Sequence, residues 1–106
     1  SRYYGPEVLY DRRIATEWMR IPHFYNAFYV YQYATGISAA TALSRQIIQE
    51  GEPARQRYRH FLTTGGSDYP TNLLYNAGVD MTTPQPVQQA IDYFGELLDE
   101  MEQLTA

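Results

Sequence analysis

The sequence predicts an all-α fold, and three observations support this prediction. Proline and glycine recur at positions typical of helix starts and helix ends. Apolar residues recur at helical spacing near the end of the chain, from Val87 to Leu104. No segment alternates polar and apolar residues long enough to require a strand. We therefore expect about five helices, including one long central helix.

The first two predicted helices carry half of the aromatic residues. Gly5-Pro6 opens the first, because proline is common in the first turn of a helix. Pro22 interrupts it and starts the second helix, which runs from about Pro22 to Glu50 and is closed by Gly51. Residues 28–33 have the composition of a strand, but Ala-rich helix formers follow them without a turn. We therefore predict helix there as well.

The remaining three predicted helices are shorter or lie between clear turn signals. One begins at Glu52-Pro53 and ends before the turn at residues 65–68. The next runs from Pro70 to Ala77 and stops at Gly78. The last is capped by Thr83 and continues through Pro84.

Length, cysteine content and charge restrict the class of protein. The 106 residues are enough for one domain, and we expect residues 1–106 to form it without an internal boundary. The absence of cysteine excludes a disulfide scaffold and a cysteine-based zinc site. A net charge of -4 argues against nucleic-acid binding. No stretch reaches the roughly 20 apolar residues of a membrane span, and residues 1–4 lack the order of a signal peptide. We expect no membrane association and a cytoplasmic location.

Tyrosine is strongly enriched, with eleven residues, and five potential hydrogen-bond donors lie in one segment. His23 stands where the second predicted helix begins. Tyr25, Tyr29 and Tyr33 follow at four-residue spacing, on one stripe of that helix, with Tyr31 on the opposite side. Such donors can stabilise the oxyanion of an acyl-transfer reaction. On the residues alone, a buried aromatic stripe with one core histidine is the more common arrangement.

Other polar features have simpler interpretations. His60 is predicted to be a surface histidine on an amphipathic helix, and the turn at residues 65–67 lacks the lysine of a phosphate loop. The acidic residues 99–102 are typical of a solvated helix face. The sequence contains no His-Glu-x-x-His motif, nucleophile elbow, Cys–His pair or nucleotide-binding fingerprint.

The second predicted helix is apolar on nearly every face between Phe24 and Ile37. A helix of this kind is normally buried on all sides, and four short companions cannot surround it. Either the chain oligomerises or it belongs to a larger protein.

Four blocks of the sequence carry a specific resemblance. They are Glu-Trp-Met-Arg-Ile-Pro-His-Phe-Tyr at residues 17–25, Phe-Tyr-Val-Tyr-Gln-Tyr-Ala-Thr-Gly at 28–36, Gly-Gly-Ser-Asp-Tyr-Pro at 65–70 and Ala-Gly-Val-Asp-Met at 77–81. In this order they closely resemble the C-terminal end of oligoendopeptidase F, a branch of the thimet oligopeptidase-like zinc metallopeptidases. The likeness runs from about Gly5 to the end of the chain. It implies that the chain is one segment of a larger, mostly helical catalytic domain that hydrolyses short peptides.

The resemblance also implies roles for individual residues. In this family zinc is held by His-Glu-x-x-His and a downstream Glu, and none of these residues lies in this chain. His23 matches a family histidine that faces the zinc, with Tyr29 and Tyr31 as leading catalytic donors and Tyr25 and Tyr33 as substrate-binding residues. Asn26, where many relatives have Tyr, is given no role.

The resemblance implies an oligopeptide substrate and the rest of the parent chain as partners. It also implies that the segment alone is inactive, binds no zinc tightly and can self-associate artificially. The alternative is a stand-alone Tyr-rich helical binding or assembly module. A non-zinc enzyme has no motif to support it.

Overall fold

A computed structural model describes residues 4–106, and within them four α-helices and two 3-10 helices are formed and no strand. The all-α prediction with one long helix is therefore confirmed. The chain divides into two compact units, one ending at Tyr31 and the other running over Gln32–Ala106.

The first unit contains two 3-10 helices, Arg12–Arg20 and Pro22–Tyr25. The prediction that Gly5-Pro6 opens a helix is wrong. Gly5 has a φ of +71°, outside the right-handed helical region, and the first helix begins only after Asp11. The Asp11 carboxylate caps it by accepting a hydrogen bond from the Arg13 N–H at 2.8 Å.

The prediction of a continuous helix from Pro22 is also wrong. The 3-10 helix that Pro22 starts ends at Asn26, which is extended with φ -94° and ψ 112°. Phe28 then adopts a φ of +60°, and α1 begins at Tyr31. The residues between are mainly aromatic or β-branched, and such side chains lose rotamer freedom in a helix. The Ala-rich sequence that follows forms helix without this cost.

The second unit contains most of α1, Tyr31–Glu50, followed by α2, Glu52–Thr64, and α3, Pro70–Asn76. These ends agree closely with the predicted turn signals. Gly51 has a φ of +71° and its N–H donates to the Ile47 carbonyl at 3.0 Å, which closes α1. The predicted turn at residues 65–68 separates α2 from α3.

The last helix, α4, spans Gln85–Thr105, and its predicted cap is wrong. Pro84 occupies the N-cap position and makes no side-chain capping bond. The Thr83 hydroxyl instead donates to the Asp80 carbonyl at 3.0 Å. The Asp80 carboxylate also accepts hydrogen bonds from the side chain and the N–H of Thr82. These bonds shape the connector and hold the pKa of the Asp80 carboxyl below its usual value.

Small residues on α1 make the core of the second unit. Ala39, Ala42 and Leu43 are buried against Ala77 and Val79, which follow α3. The buried cluster on α1 therefore packs against the segment that follows α3. Larger, partly buried residues pack around this cluster: Tyr58, Phe61, Leu74 and Met81.

Arg45 links α1 to α4 by two contacts. Its guanidinium lies 2.7 Å from the Glu96 carboxylate and 5.0 Å from the centre of the Tyr93 ring. The ion pair raises the pKa of Arg45 above its ordinary value. The Arg45 side chain is 30% exposed and that of Glu96 is 56% exposed. Water therefore screens the pair, and it sets geometry more than it adds stability.

Among the helices of residues 4–106, none combines the length and the apolar character that are needed to cross a bilayer.

Two apolar grooves flank α1 within the second unit. One, of about 470 Å³, lies between α1, α2 and α3, and its floor includes Gly36, Ala39 and Ala40. The other, of about 490 Å³, lies between α1 and α4, beside Ile37, Ile91 and other apolar side chains. More than half of the surface of each large residue beside this groove is exposed, namely 64% for Ile37, 59% for Ile91 and 62% for Phe94. The helix predicted to be apolar on nearly every face therefore leaves much of that surface uncovered in this chain.

Candidate functional site

His23 lies in the short 3-10 helix Pro22–Tyr25 of the first unit. Pro22 fixes the start of this helix because its ring restricts φ to helical values. Ile21, which precedes it, is extended and accepts a hydrogen bond from the Phe24 N–H at 3.1 Å. His23 is exposed in this chain. It is therefore not sealed in a packed aromatic core, as it would be if it were only a structural residue of this unit.

The ring of Tyr29 stacks on the ring of His23. The two ring centres are 5.7 Å apart and the planes are inclined by 30°. The residues between them leave the helical conformation, so the chain folds back and brings both rings together. This pair joins two of the predicted site residues within the first unit.

The other predicted tyrosines have different surroundings. Tyr25 donates its hydroxyl hydrogen to the carbonyl of Met19, so that hydrogen is already used within the chain. Tyr31 begins α1 and is exposed. Tyr33 is exposed on the second unit. The predicted helical stripe of Tyr25, Tyr29 and Tyr33 does not form, because no continuous helix joins these positions.

Phe28 is a feature of this segment that the sequence did not reveal. Its φ of +60° lies in the left-handed region that rarely accommodates a side chain other than glycine, asparagine or aspartate. A glycine at this position would have signalled such a turn, but a phenylalanine gives no such signal.

The charged residues near this segment are paired with one another. Glu17 accepts hydrogen bonds from Arg20, which lowers the pKa of the Glu17 carboxyl. Asp11 accepts hydrogen bonds from the side chain and N–H of Arg13, which lowers the pKa of Asp11 in the same way. Both carboxylates are therefore ionised at neutral pH and directed to arginine.

Within residues 4–106, no three His, Asp or Glu side chains come together in a way that could hold a metal ion. A zinc ion therefore does not fit the residues that the structure describes.

The two secondary candidates have the simple structures expected of them. His60 is exposed on α2, and its backbone carbonyl accepts hydrogen bonds from the hydroxyls of Thr63 and Thr64. In the turn before α3, Asp68 accepts hydrogen bonds from the Tyr69 N–H at 2.7 Å and from the Asn72 side chain at 3.0 Å. These bonds shape the turn.

Comparison with known proteins decides the family. The sequence pattern described as Peptidase family M3 matches residues 1–93. The chain belongs to peptidase family M3. Within this family it is 56% identical over 104 residues to Oligopeptidase PepF of Bacillus subtilis, a match that covers 98% of the chain. It is 42% identical over 104 residues to the plasmid-encoded Oligoendopeptidase F of Lactococcus lactis. The resemblance to oligoendopeptidase F is thus confirmed.

A solved structure has a similar fold. A crystal structure of a candidate peptidase from Chlamydophila abortus superimposes with a TM-score of 0.79 at 42% identity, and the match covers 96% of this chain. The chain spans only a small part of these proteins, namely 16% of the Bacillus subtilis relative and 17% of the Chlamydophila abortus chain. The helical fold is therefore shared with one segment of a much longer chain.

Proposed function

We propose that this chain is the C-terminal helical segment of a zinc metallopeptidase that hydrolyses short peptides. In the parent enzyme, His23 and Tyr29 would donate hydrogen bonds to the carbonyl oxygen of the scissile peptide bond. The observation that carries this proposal is the stacked, exposed His23–Tyr29 pair. His23 and Tyr29 lie in two neighbouring sequence blocks, residues 17–25 and 28–36, that resemble oligoendopeptidase F.

The chemistry of the pair suits this role. As water adds to a peptide carbonyl, negative charge develops on the carbonyl oxygen. An imidazole N–H and a phenol O–H held close together can both donate to that oxygen. Because the chain holds them in place before the reaction, little reorganisation is needed as the charge develops. Tyr31 is proposed as an additional donor, with Tyr25 and Tyr33 as contacts for the substrate backbone.

The metal is assigned to the part of the parent enzyme outside this chain. When bound there, zinc would polarise the carbonyl and activate water. We accordingly expect residues 1–106 alone to show neither peptidase activity nor tight zinc binding. A cytoplasmic location remains part of the same proposal.

His23→Ala in the full-length parent enzyme tests the proposed role. Losing one oxyanion donor typically lowers kcat by roughly 10²–10³, and we expect a loss of this size. Zinc content, measured by metal analysis of the purified enzyme, should stay at the wild-type level because His23 is not a ligand.

His60→Ala is the matched control, since it removes the other histidine, which lies on α2. It should keep near-normal kcat. A His23→Ala enzyme with the activity of this control would remove His23 from the mechanism.

A stand-alone binding or assembly module is the alternative, and the uncovered apolar grooves along α1 favour it. The coding sequence upstream of Ser1 separates the two proposals. A His-Glu-x-x-His motif in the same reading frame supports the peptidase. A start codon immediately before Ser1 supports the module.

A further inference from the structure

Phe28 holds a strained turn directly before Tyr29. Among residues 4–106 it is the single non-glycine residue with a positive φ. The Tyr29 N–H donates to the Asn26 carbonyl at 3.2 Å, which makes Phe28 the third residue of a four-residue turn. A positive φ at this place is usually supplied by glycine or asparagine, because Cβ of other residues approaches a carbonyl oxygen.

Burial of the ring does not explain why phenylalanine occupies this conformation. The Phe28 side chain is 86% exposed in this chain, so it gains little from packing here. The turn does have a geometric effect on the candidate site. It reverses the chain between Asn26 and Tyr29 and places the Tyr29 ring 5.7 Å from the His23 ring.

The direction of the chain after Phe28 depends strongly on its φ. Moving this angle from the observed +60° to a common value near -65° would rotate the following chain by about 125°. Such a rotation would carry Tyr29 away from His23. Strained residues of this kind persist where the surrounding structure fixes them, and they occur frequently at functional sites.

We propose that Phe28 is a positioning residue: its left-handed turn places the Tyr29 phenol beside His23, ready to donate to the peptide carbonyl. The contribution comes from the backbone conformation and not from contact between the ring and a substrate. This inference rests on the proposed function of the His23–Tyr29 pair.

Four substitutions in the full-length parent enzyme separate the backbone from the ring. Phe28→Gly and Phe28→Asn allow a positive φ, Phe28→Val disfavours it, and Phe28→Pro forbids it. If the backbone matters, Gly and Asn should retain kcat within about threefold, since a correctly placed donor needs no ring. Pro should lose roughly 100-fold in kcat, the scale of a small misplacement at a reacting centre, with Val between them and KM little changed.

The opposite order would overturn the proposal. If the ring contacts substrate, the apolar Val and Pro variants should outperform the polar Asn and the bare Gly variants, mainly through KM. Four variants with equal kcat would also overturn it. If the Pro variant fails to fold, the comparison of Val with Gly and Asn still decides.

A double-mutant cycle distinguishes positioning from a general structural role. If Phe28 acts by placing the Tyr29 phenol, Phe28→Val should add almost nothing to the loss already caused by Tyr29→Phe. Additive losses, or a fall in the melting temperature that accounts for the lost activity, would refute positioning. A normal kcat for His23→Ala alone would instead remove the proposed function. A low kcat for His23→Ala, together with Phe28 variants that do not follow the expected order of kcat, would remove only the Phe28 proposal.

Discussion

At the scale of single residues, the candidate site depends on which phenol lies beside which donor. Tyr29 stacks on His23, whereas Tyr25 directs its hydroxyl hydrogen to the Met19 carbonyl. An aromatic pair of this kind contributes about 0.5–1.5 kcal/mol beyond the burial of area, which is enough to bias the orientation of an exposed ring. The hydroxyl of Tyr29 is therefore the group to remove first.

Tyr29→Phe should lower kcat of the parent enzyme by roughly 10²–10³ with little effect on the fold. The substitution keeps the ring that stacks on His23 and deletes only the phenol donor. Steady-state kinetics with a short peptide substrate, together with the melting temperature, measure both effects.

Tyr10→Phe is the control for this prediction, because Tyr10 also lies in a ring pair of the first unit, 6.1 Å from Tyr4, outside the candidate site. It should leave kcat unchanged. Equal activity of the Tyr29→Phe and Tyr10→Phe enzymes would exclude the Tyr29 hydroxyl from catalysis.

At the scale of elements, the sequence predicts the second unit far better than the first. The end of α1 is marked by Gly51, and the starts of α2 and α3 are marked by Pro53 and Pro70. Each of these residues changes the allowed backbone angles locally. The error at Thr83 is small, since Pro84 takes the neighbouring cap position. Local chemistry therefore accounts for most of α1 to α4.

The first unit was harder to predict for two reasons. Pro22 signals a helix start but not the helix length, and the chain leaves helix at Asn26. The positive φ of Phe28 has no local signal, because it goes against the intrinsic preference of phenylalanine. The residue pattern indicates His23 and Tyr29 as potential donors and the family resemblance supports them, whereas their stacking depends on that unpredicted turn.

The connector between α3 and α4 depends on Gly78, which is the clearest element-scale test of stability. Its φ is +101°, and a Cβ there would lie 2.7 Å from Oε1 of Gln46. The Gln46 amide also donates to the Gly78 carbonyl at 2.7 Å, which ties the connector to α1. Gly78→Ala should therefore cost at least about 1–2 kcal/mol from backbone strain alone and lower the melting temperature of the parent enzyme.

Gly95→Ala is the matched control for Gly78→Ala. Gly95 lies inside α4, and a Cβ there would meet no atom of this chain within 4 Å. Alanine is favoured over glycine within helices by about 1 kcal/mol, so this variant should be neutral or slightly stabilising. A Gly78→Ala enzyme as stable as the Gly95→Ala enzyme would show that the connector tolerates a side chain.

At the scale of the whole molecule, the uncovered grooves along α1 need an occupant. The chain corresponds to 16% of the length of its Bacillus subtilis relative, so a complete protein of that length has ample further chain to cover them. Both grooves are lined mainly by apolar side chains, which are costly to leave in water over such an area. We infer that other helices of the parent peptidase pack into them, and that self-association of this segment alone would be artificial.

Ala40→Glu in the parent enzyme tests this arrangement, because Ala40 lines the groove between α1, α2 and α3 and is exposed in this chain. If parent helices fill the groove, the new carboxylate becomes buried without a partner, at a cost of about 3–5 kcal/mol. The melting temperature should then fall by several degrees or the enzyme should fail to accumulate in soluble form.

Gln49→Glu adds the same charge on α1 at an exposed position outside both grooves, and it should change the melting temperature little. If the Ala40→Glu enzyme melts at the temperature of this control, the groove stays open to water in the complete protein, and the parent chain is not its occupant.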